Sequence, residues 1–93
     1  MSVTGKPGLE TAEPSTGSGE HIVVVFNNDY NTFDEVIGIL MRATGCSVEE
    51  ASMETWEIHN LGKSVVHHGS LDECRRAAGI IATIGIRVEV RPL

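Results

Sequence analysis

Several residue classes are scarce in this 93-residue chain, and each scarcity excludes a class of protein. Two cysteines, Cys46 and Cys74, are too few for a disulfide framework, and we expect two reduced and mostly buried thiols. Seven Lys and Arg against 13 Asp and Glu argue against nucleic-acid binding, which needs clustered basic residues. No apolar run approaches the roughly 20 residues that cross a bilayer. These absences predict a cytoplasmic protein with neither a nucleic-acid nor a membrane partner.

Side chains for metal binding or catalysis are equally sparse. His59, His67 and His68, taken with the two cysteines, lack the paired close spacings of structural zinc sites. In a strand, His67 and His68 would point to opposite faces. Neither cysteine is predicted to lie in the electropositive setting that activates a nucleophilic thiol, since one lies at a helix entry and the other on an apolar helix face. The sequence therefore predicts no metal, no cofactor and no catalytic residue, so that the protein is not an enzyme.

The first 20 residues differ in composition from the rest. They are rich in Gly, Pro and Ser and contain almost no large apolar side chain. Such a segment cannot bury enough surface to offset its conformational entropy, so residues 1–20 are predicted to form a disordered extension. They also lack the basic start and apolar stretch of a secretory signal. Residues 21–93 are predicted to form one small folded domain.

Three helix starts share one pattern, the capping box, in which a hydroxyl and a carboxylate satisfy free amide donors reciprocally. The matching segments are Thr32-x-x-Glu35, Ser47-x-x-Glu50 and Ser70-x-x-Glu73. A glycine is predicted to end each helix: Gly45, Gly62 and Gly85. The spacing thus predicts three helices.

Apolar residues recur at helical spacing after each of these starts. They are Phe33, Val36, Ile37, Leu40 and Met41 in the first helix, Val48, Ala51, Thr55 and Ile58 in the second, and Leu71, Cys74, Ala78 and Ile81 in the third. In the second helix Ser52, Trp56 and His59 share a neighbouring face.

Strands are predicted in three places. Residues 21–26 hold a run of β-branched residues, residues 63–68 hold Val65 and Val66, and residues 86–91 alternate apolar and charged side chains. The order β-α-α-β-α-β predicts an α+β domain, with a three-stranded antiparallel sheet and three helices packed on one face.

A polar turn and a distant histidine suggest a binding site for an amine. Asn27, Asn28 and Asp29 follow the first strand, and His59 lies near the end of the second helix. An α-ammonium group has three donors and no acceptor, so it needs carbonyl, carboxylate or neutral imidazole acceptors close together. Neighbouring apolar residues would line a pocket for the attached side chain: Phe33, Val36, Ile58 and Ile86. The alternative is an ordinary turn and an exposed residue at a helix end.

Two segments, Val25 to Ile37 and Glu57 to Val66, resemble the ClpS adaptor family. The resemblance covers about residues 21–91. It implies a non-enzymatic adaptor that binds the N-terminal residue of N-degron substrate proteins. Such an adaptor delivers those substrates to a Clp AAA+ unfoldase and its peptidase.

The resemblance also implies roles for the residues of the amine site. Asn27 and His59 match the asparagine and histidine that contact the substrate amine, and Asp29 matches an aspartate of the same turn. Asn28 stands where the family usually has another aspartate. Hydrogen bonds to charged groups contribute about 1.5–3 kcal/mol against about 1 for neutral ones, so we expect weaker attraction for the ammonium.

The side-chain pocket implied by the resemblance departs from the family pattern. Its residues here are Asn31, Phe33, Val36, Thr55, Ile58 and Ile86. Asn31 replaces a threonine, while Phe33 and Thr55 replace methionines, the first of them gatekeeping. A rigid ring in place of a flexible thioether predicts altered selectivity among bulky apolar N-terminal residues.

The implied docking surface for the N-terminal domain of the unfoldase lies on the third helix. Asp72 matches the family's acidic residue, and Arg76 is the candidate substitute for a lysine whose position is taken by Ala77. An alternative function is an interaction module resembling the C-terminal domain of the ribosomal stalk protein, which has no N-degron site. That domain needs neither His59 nor the Asn27–Asp29 turn, and its lysine-rich helix is absent from this sequence.

Overall fold

A computed structural model describes residues 20–93. Its elements are β1 (His21–Phe26), α1 (Phe33–Thr44), α2 (Val48–Leu61), β2 (Lys63–Gly69), α3 (Leu71–Ala82) and β3 (Val88–Pro92). This order and the three-stranded antiparallel sheet confirm the predicted α+β class. The predicted disordered extension, apart from Glu20, lies outside the described residues.

The sheet has the order β2-β1-β3, so the most apolar strand lies in the centre. Val23 pairs with His67 while Val24 pairs with Val65, which leaves Val66 as the extra residue of a β-bulge. At the other edge the Leu93 amide donates to the Glu20 carbonyl at 3.1 Å. The sheet pairing therefore begins one residue before the predicted start of the domain.

All three predicted N-caps are confirmed. The hydroxyls of Thr32, Ser47 and Ser70 each accept a hydrogen bond from the backbone N–H three residues later. Both halves of the capping box form at Thr32 and Ser70. At Ser47 only the hydroxyl half forms, because the Glu50 side chain lines a cavity beside β2 instead.

The predicted helix ends are confirmed for α1 and α2 and wrong for α3. Gly45 and Gly62 are C-caps with φ of 73° and 93°, a region that favours glycine. Helix α3 ends at Ala82, before Gly85. The backbone N–H of Thr83 donates to the Ile80 carbonyl and that of Gly85 donates to the Ala82 carbonyl, so the chain forms a tighter turn with bonds between residues three apart. This tighter turn delays β3, which begins at Val88 and not at Ile86.

The core lies between the helices and one face of the sheet. Its fully buried members include Val23, Val25, Leu40, Ile58 and Ile81. The predicted apolar helix faces are confirmed for their buried members but not for Phe33, Met41 and Val48, which are 38%, 37% and 47% exposed.

The opposite face of the sheet is covered by its own side chains. The guanidinium of Arg87 lies 4.3 Å from the centre of the Phe26 ring, and that of Arg91 lies 5.6 Å from it. Both arginines donate to the Glu89 carboxylate, and these bonds hold the Glu89 pKa below its usual range. Beside this group Val24 is only 2% exposed, although it points away from the helices.

The cysteines take different positions: the Cys74 thiol is fully buried in the core, and Cys46 is half-buried. Burial raises the pKa of the Cys74 thiol, with smaller contributions from Glu73 and Glu20. Across residues 20–93, none of the helices combines the length and apolar character required to cross a membrane.

Candidate functional site

The polar turn and the end of α2 meet at one end of the sheet. The backbone N–H of Asn27 donates to the backbone carbonyl of Gly62 at 2.9 Å, directly after the pairing of Phe26 with Lys63. Gly62 is the C-cap of α2, so this hydrogen bond fixes the start of the turn against the end of the helix. His59 lies in the last turn of that helix. The two halves of the predicted amine site are therefore neighbours.

The His59 ring faces the start of α1. Its centroid lies 5.7 Å from that of the Phe33 ring, with an interplanar angle of 68°, an edge-to-face contact. Phe33 is the first residue of α1 and follows the polar turn after a single cap residue, Thr32. The imidazole therefore contacts the residue with which α1 begins, close in sequence to the polar turn.

Asn28 shapes the turn from within. Its Oδ1 accepts from the backbone N–H of Tyr30 at 3.2 Å and of Asn31 at 3.1 Å. Its Nδ2 donates to Asn31 Oδ1 at 2.8 Å. Both lone pairs of the amide oxygen are therefore in use, as in an Asx turn.

Asn31 connects the turn to the segment before β3. Its Nδ2 donates to the Ile84 carbonyl at 2.9 Å and to Glu35 Oε1 at 3.3 Å. Hydrogen bonds from the Thr32 backbone and from the Asn31 amide hold the Glu35 pKa below its usual value of 4.5. The carboxylate thus remains charged at the N-terminus of α1, where the helix dipole favours a negative charge.

Three acceptors remain available after these bonds are assigned. Within residues 20–93, the side chains of Asn27 and Asp29 form no hydrogen bond or ion pair, and His59 has only its ring contact with Phe33. All three residues are exposed. An amide oxygen, a carboxylate and an imidazole nitrogen are a suitable set for an ammonium group.

Four of the residues predicted to line the side-chain pocket are buried. Val36, Thr55, Ile58 and Ile86 are at most 5% exposed. The Thr55 hydroxyl donates to the Ala51 carbonyl at 2.7 Å, so its hydrogen-bonding capacity is used inside α2. Phe33 is the exposed member of the set, at 38%.

Acidic residues outnumber basic ones in the segment that forms the polar turn, α1 and α2. Between residues 27 and 62 there are seven acidic residues and a single basic one, Arg42. The acids are Asp29, Asp34, Glu35, Glu49, Glu50, Glu54 and Glu57. The summed field of such a surface attracts cations.

The predicted docking residues lie on α3, which packs against both α1 and the sheet. Asp72 and Arg76 are exposed and one helical turn apart, so they share a face. Ala77 is 3% exposed and belongs to the core.

A separate cavity of about 380 Å³ lies between α2 and β2. Glu50, Glu54, His67 and His68 line it. Desolvation, followed by the charges of Glu50 and Glu57, raises the Glu54 pKa to about 7. Its Oε1 is buried without a hydrogen-bond partner.

Glu54 was not predicted from the sequence, although four glutamates within nine residues of one helix were a visible signal. Within residues 20–93 no three metal-binding side chains are grouped to hold an ion.

Comparison with solved structures identifies the class of protein that has this fold. Agrobacterium tumefaciens ClpS2, in a structure bound to L-phenylalaninamide, superposes with a TM-score of 0.76. The match covers 82% of this chain and 99% of the other, at 18% sequence identity. The fold is therefore that of the ClpS adaptors.

The family follows from the sequence comparison. The model of the family described as ATP-dependent Clp protease adaptor protein ClpS matches residues 17–93, and the chain belongs to this family. It is a family of adaptors and not of catalysts.

Two curated relatives are longer proteins. The E3 ubiquitin-protein ligases UBR1 of Homo sapiens and Mus musculus are each 33% identical over 70 residues, which is 75% of this chain. The matched region spans about 4% of the length of each ligase.

Proposed function

We propose that this protein is a non-enzymatic adaptor that holds the N-terminal residue of N-degron substrates and delivers them to a Clp AAA+ unfoldase in the cytoplasm. The main support is the hydrogen bond between Asn27 and Gly62, which brings the polar turn and the His59 helix end together. Family membership and the ligand named for Agrobacterium ClpS2, an amino-acid amide, agree with it.

The free α-amine binds Asn27, Asp29 and His59 in this proposal. Their side-chain acceptors are free and exposed at one end of the sheet. Asn28 was predicted to bind the amine directly, but its amide is used inside the turn. We therefore assign Asn28 the role of fixing the backbone that presents its two neighbours. Asn31 likewise positions the turn through Ile84.

The side chain of the substrate's first residue lies over the apolar floor of Val36, Thr55, Ile58 and Ile86. These residues are buried, so access to them depends on the exposed Phe33 ring at their edge. Because Phe33 contacts His59, the ring that admits the side chain also touches the imidazole that binds the amine. A bulky apolar first residue satisfies both requirements.

Delivery uses the N-terminal domain of the unfoldase, which we place on the α3 surface of Asp72 and Arg76. Both are exposed on one face, remote in sequence from the polar turn. The stalk-like alternative is not supported by the family match. In UBR1 a region similar to this chain is part of a ubiquitin ligase. Binding experiments should therefore also test delivery partners other than a Clp unfoldase.

Isothermal titration with phenylalaninamide tests the amine site. N-acetyl-phenylalaninamide has the same side chain without the ammonium and is the matched control ligand. We expect the acetylated ligand to bind at least about tenfold more weakly, since it loses charge-assisted hydrogen bonds. Equal affinity for both ligands would refute the proposal.

Two substitutions locate the amine. Asp29→Asn and His59→Ala are expected to weaken phenylalaninamide binding, and Asp34→Asn, an exposed carboxylate in the first turn of α1, is the control. An unchanged affinity in both site variants would place the ligand elsewhere.

A further inference from the structure

Trp56 is the only tryptophan of the chain, and its side chain is 53% exposed. An exposed tryptophan is an unfavourable use of a large apolar side chain unless something covers it. Met53, three residues earlier, is 65% exposed, so the outer face of α2 presents two adjacent apolar side chains. Neither residue takes part in the proposed amine site or in the core.

Trp56 lies one turn of α2 before His59. Residues three apart on a helix are neighbours on its surface, with an axial separation of about 4.5 Å. An extended peptide advances about 3.3–3.6 Å per residue. A chain that binds His59 through its amine and runs along α2 toward the start of the helix brings its second residue to Trp56. The Asn60 Nδ2 donates to the Trp56 carbonyl at 2.9 Å and stabilises the last turns of the helix.

The charge near this face favours one type of side chain. Glu49 is exposed and precedes Trp56 by seven residues, about two turns of α2, so its carboxylate lies on the same side of the helix. The Glu57 carboxylate instead accepts a hydrogen bond from the Ser64 hydroxyl on β2 at 2.6 Å. The exposed indole attracts a guanidinium or ammonium by cation–π interaction, and Glu49 and the net charge of −6 add to this attraction.

We propose that Trp56 is a specificity-determining residue that receives the second residue of the bound substrate and selects a basic side chain there. This inference rests on the proposed function, because it assumes that the first residue binds at His59. Phe33 and the apolar floor contact the first side chain of the substrate, and Trp56 contacts the second. The site thus recognises a class of N-terminus, a bulky apolar residue followed by Arg or Lys.

The test compares phenylalaninamide with three tripeptide amides, Phe-Arg-Gly, Phe-Gly-Gly and Phe-Glu-Gly. For the natural chain we expect Phe-Arg-Gly to bind about two- to fivefold more tightly than Phe-Gly-Gly, the range of an exposed cation–π contact. Phe-Glu-Gly is expected to be the weakest. Part of the preference for Arg falls as salt screens the carboxylates, while the stacking part persists.

Trp56→Ala and its control, Leu61→Ala, complete the test. Leu61 is 67% exposed on the same helix but lies toward β2, away from Trp56. We expect W56A to abolish the preference for Arg while phenylalaninamide affinity stays within about twofold, and we expect L61A and W56F to keep the preference. The inference is overturned if the natural chain binds Phe-Arg-Gly and Phe-Gly-Gly equally, or if W56A retains the preference. If phenylalaninamide binds no better than its acetylated form, the proposed function itself fails, and this inference fails with it.

Discussion

The Phe33 ring meets the His59 imidazole edge-on, with ring centroids 5.7 Å apart. This contact joins the first residue of α1 to the last turn of α2. The residue that we propose to control access to the side-chain pocket therefore touches the residue that we propose to bind the amine.

The first prediction concerns this contact. Phe33→Ala opens the boundary of the floor, so affinity for peptides beginning with Trp is expected to rise relative to those beginning with Leu. Because Phe33 is 38% exposed, the free energy of unfolding is expected to fall by only about 1 kcal/mol. Calorimetric titration and urea unfolding measure the two effects. Tyr30→Ala, at an 88% exposed position in the same turn, is expected to change neither.

The second prediction concerns Asn31. Asn31→Ala removes the acceptor of Asn28 Nδ2 and the donor to the Ile84 carbonyl, and is expected to lower the free energy of unfolding by about 1–2 kcal/mol. Peptide affinity is expected to fall as well, because the turn is no longer fixed. Asn60→Ala removes a single local bond on an exposed helix surface and is the control. A stability loss of equal size in both variants would contradict this role for Asn31.

The third prediction concerns Glu54 and pH. Its carboxyl loses the proton near pH 4.5 in the unfolded chain and near pH 7 in the folded one. Below pH 4.5 it is protonated in both states and carries no penalty, whereas between these values folding stability decreases as the pH rises. Glu54→Gln is therefore expected to stabilise the fold at pH 8 by roughly 1–2 kcal/mol, a figure reduced for the half-exposed side chain.

Thermal unfolding of the natural chain and E54Q between pH 4 and 9 measures this difference. The groups that face Glu54 are Glu50 and Glu57 on α2 and His67 and His68 across the cavity, and all of them are present in both proteins. The difference between the two profiles therefore reports Glu54 together with its interaction with Glu50 and Glu57. Glu49→Gln, at an exposed position in the first turn of α2, is the control for the removal of a carboxylate from the same helix. Parallel pH profiles for the natural chain and E54Q would disprove the prediction.

The fourth prediction concerns delivery. Asp72→Lys combined with Arg76→Glu reverses two exposed charges on one face of α3 and is expected to weaken binding to the N-terminal domain of a Clp unfoldase by about tenfold. Phenylalaninamide affinity is expected to stay unchanged, since neither residue belongs to the amine site. Arg42→Glu on α1 is the control. Undiminished unfoldase binding in the double variant would move the docking surface away from α3.

The fold was largely predictable because its signals are local. The hydroxyls of Thr32, Ser47 and Ser70 cap the three helices at their N-termini. Two helices end at Gly45 and Gly62, whose backbone conformation favours glycine. Gly85 misled the prediction, because the amides before it form a tighter turn that depends on how α3 enters β3. The bulge at Val66 had no local signal either, since it depends on pairing with a distant strand.

The site was less predictable than the fold. The residue types of the amine site were visible, but the sequence did not show that Asn28 bonds inward while Asn27 and Asp29 remain free. The contacts that assemble the site use backbone carbonyls, those of Gly62 and Ile84, which have no side-chain signature. Trp56 was visible on the face of His59, whereas its exposure was not.

The bond from the Asn27 amide to the Gly62 carbonyl involves no side chain of either residue. In the proposed function, substitutions at Thr55 or Trp56 therefore alter which chain ends are accepted without displacing the backbone bond that fixes the amine-binding turn. Because the backbone bond and the selectivity-determining side chains are separate, single substitutions can change the preferred N-terminal residue one position at a time. The scaffold is therefore suitable for engineering binders of chosen N-termini.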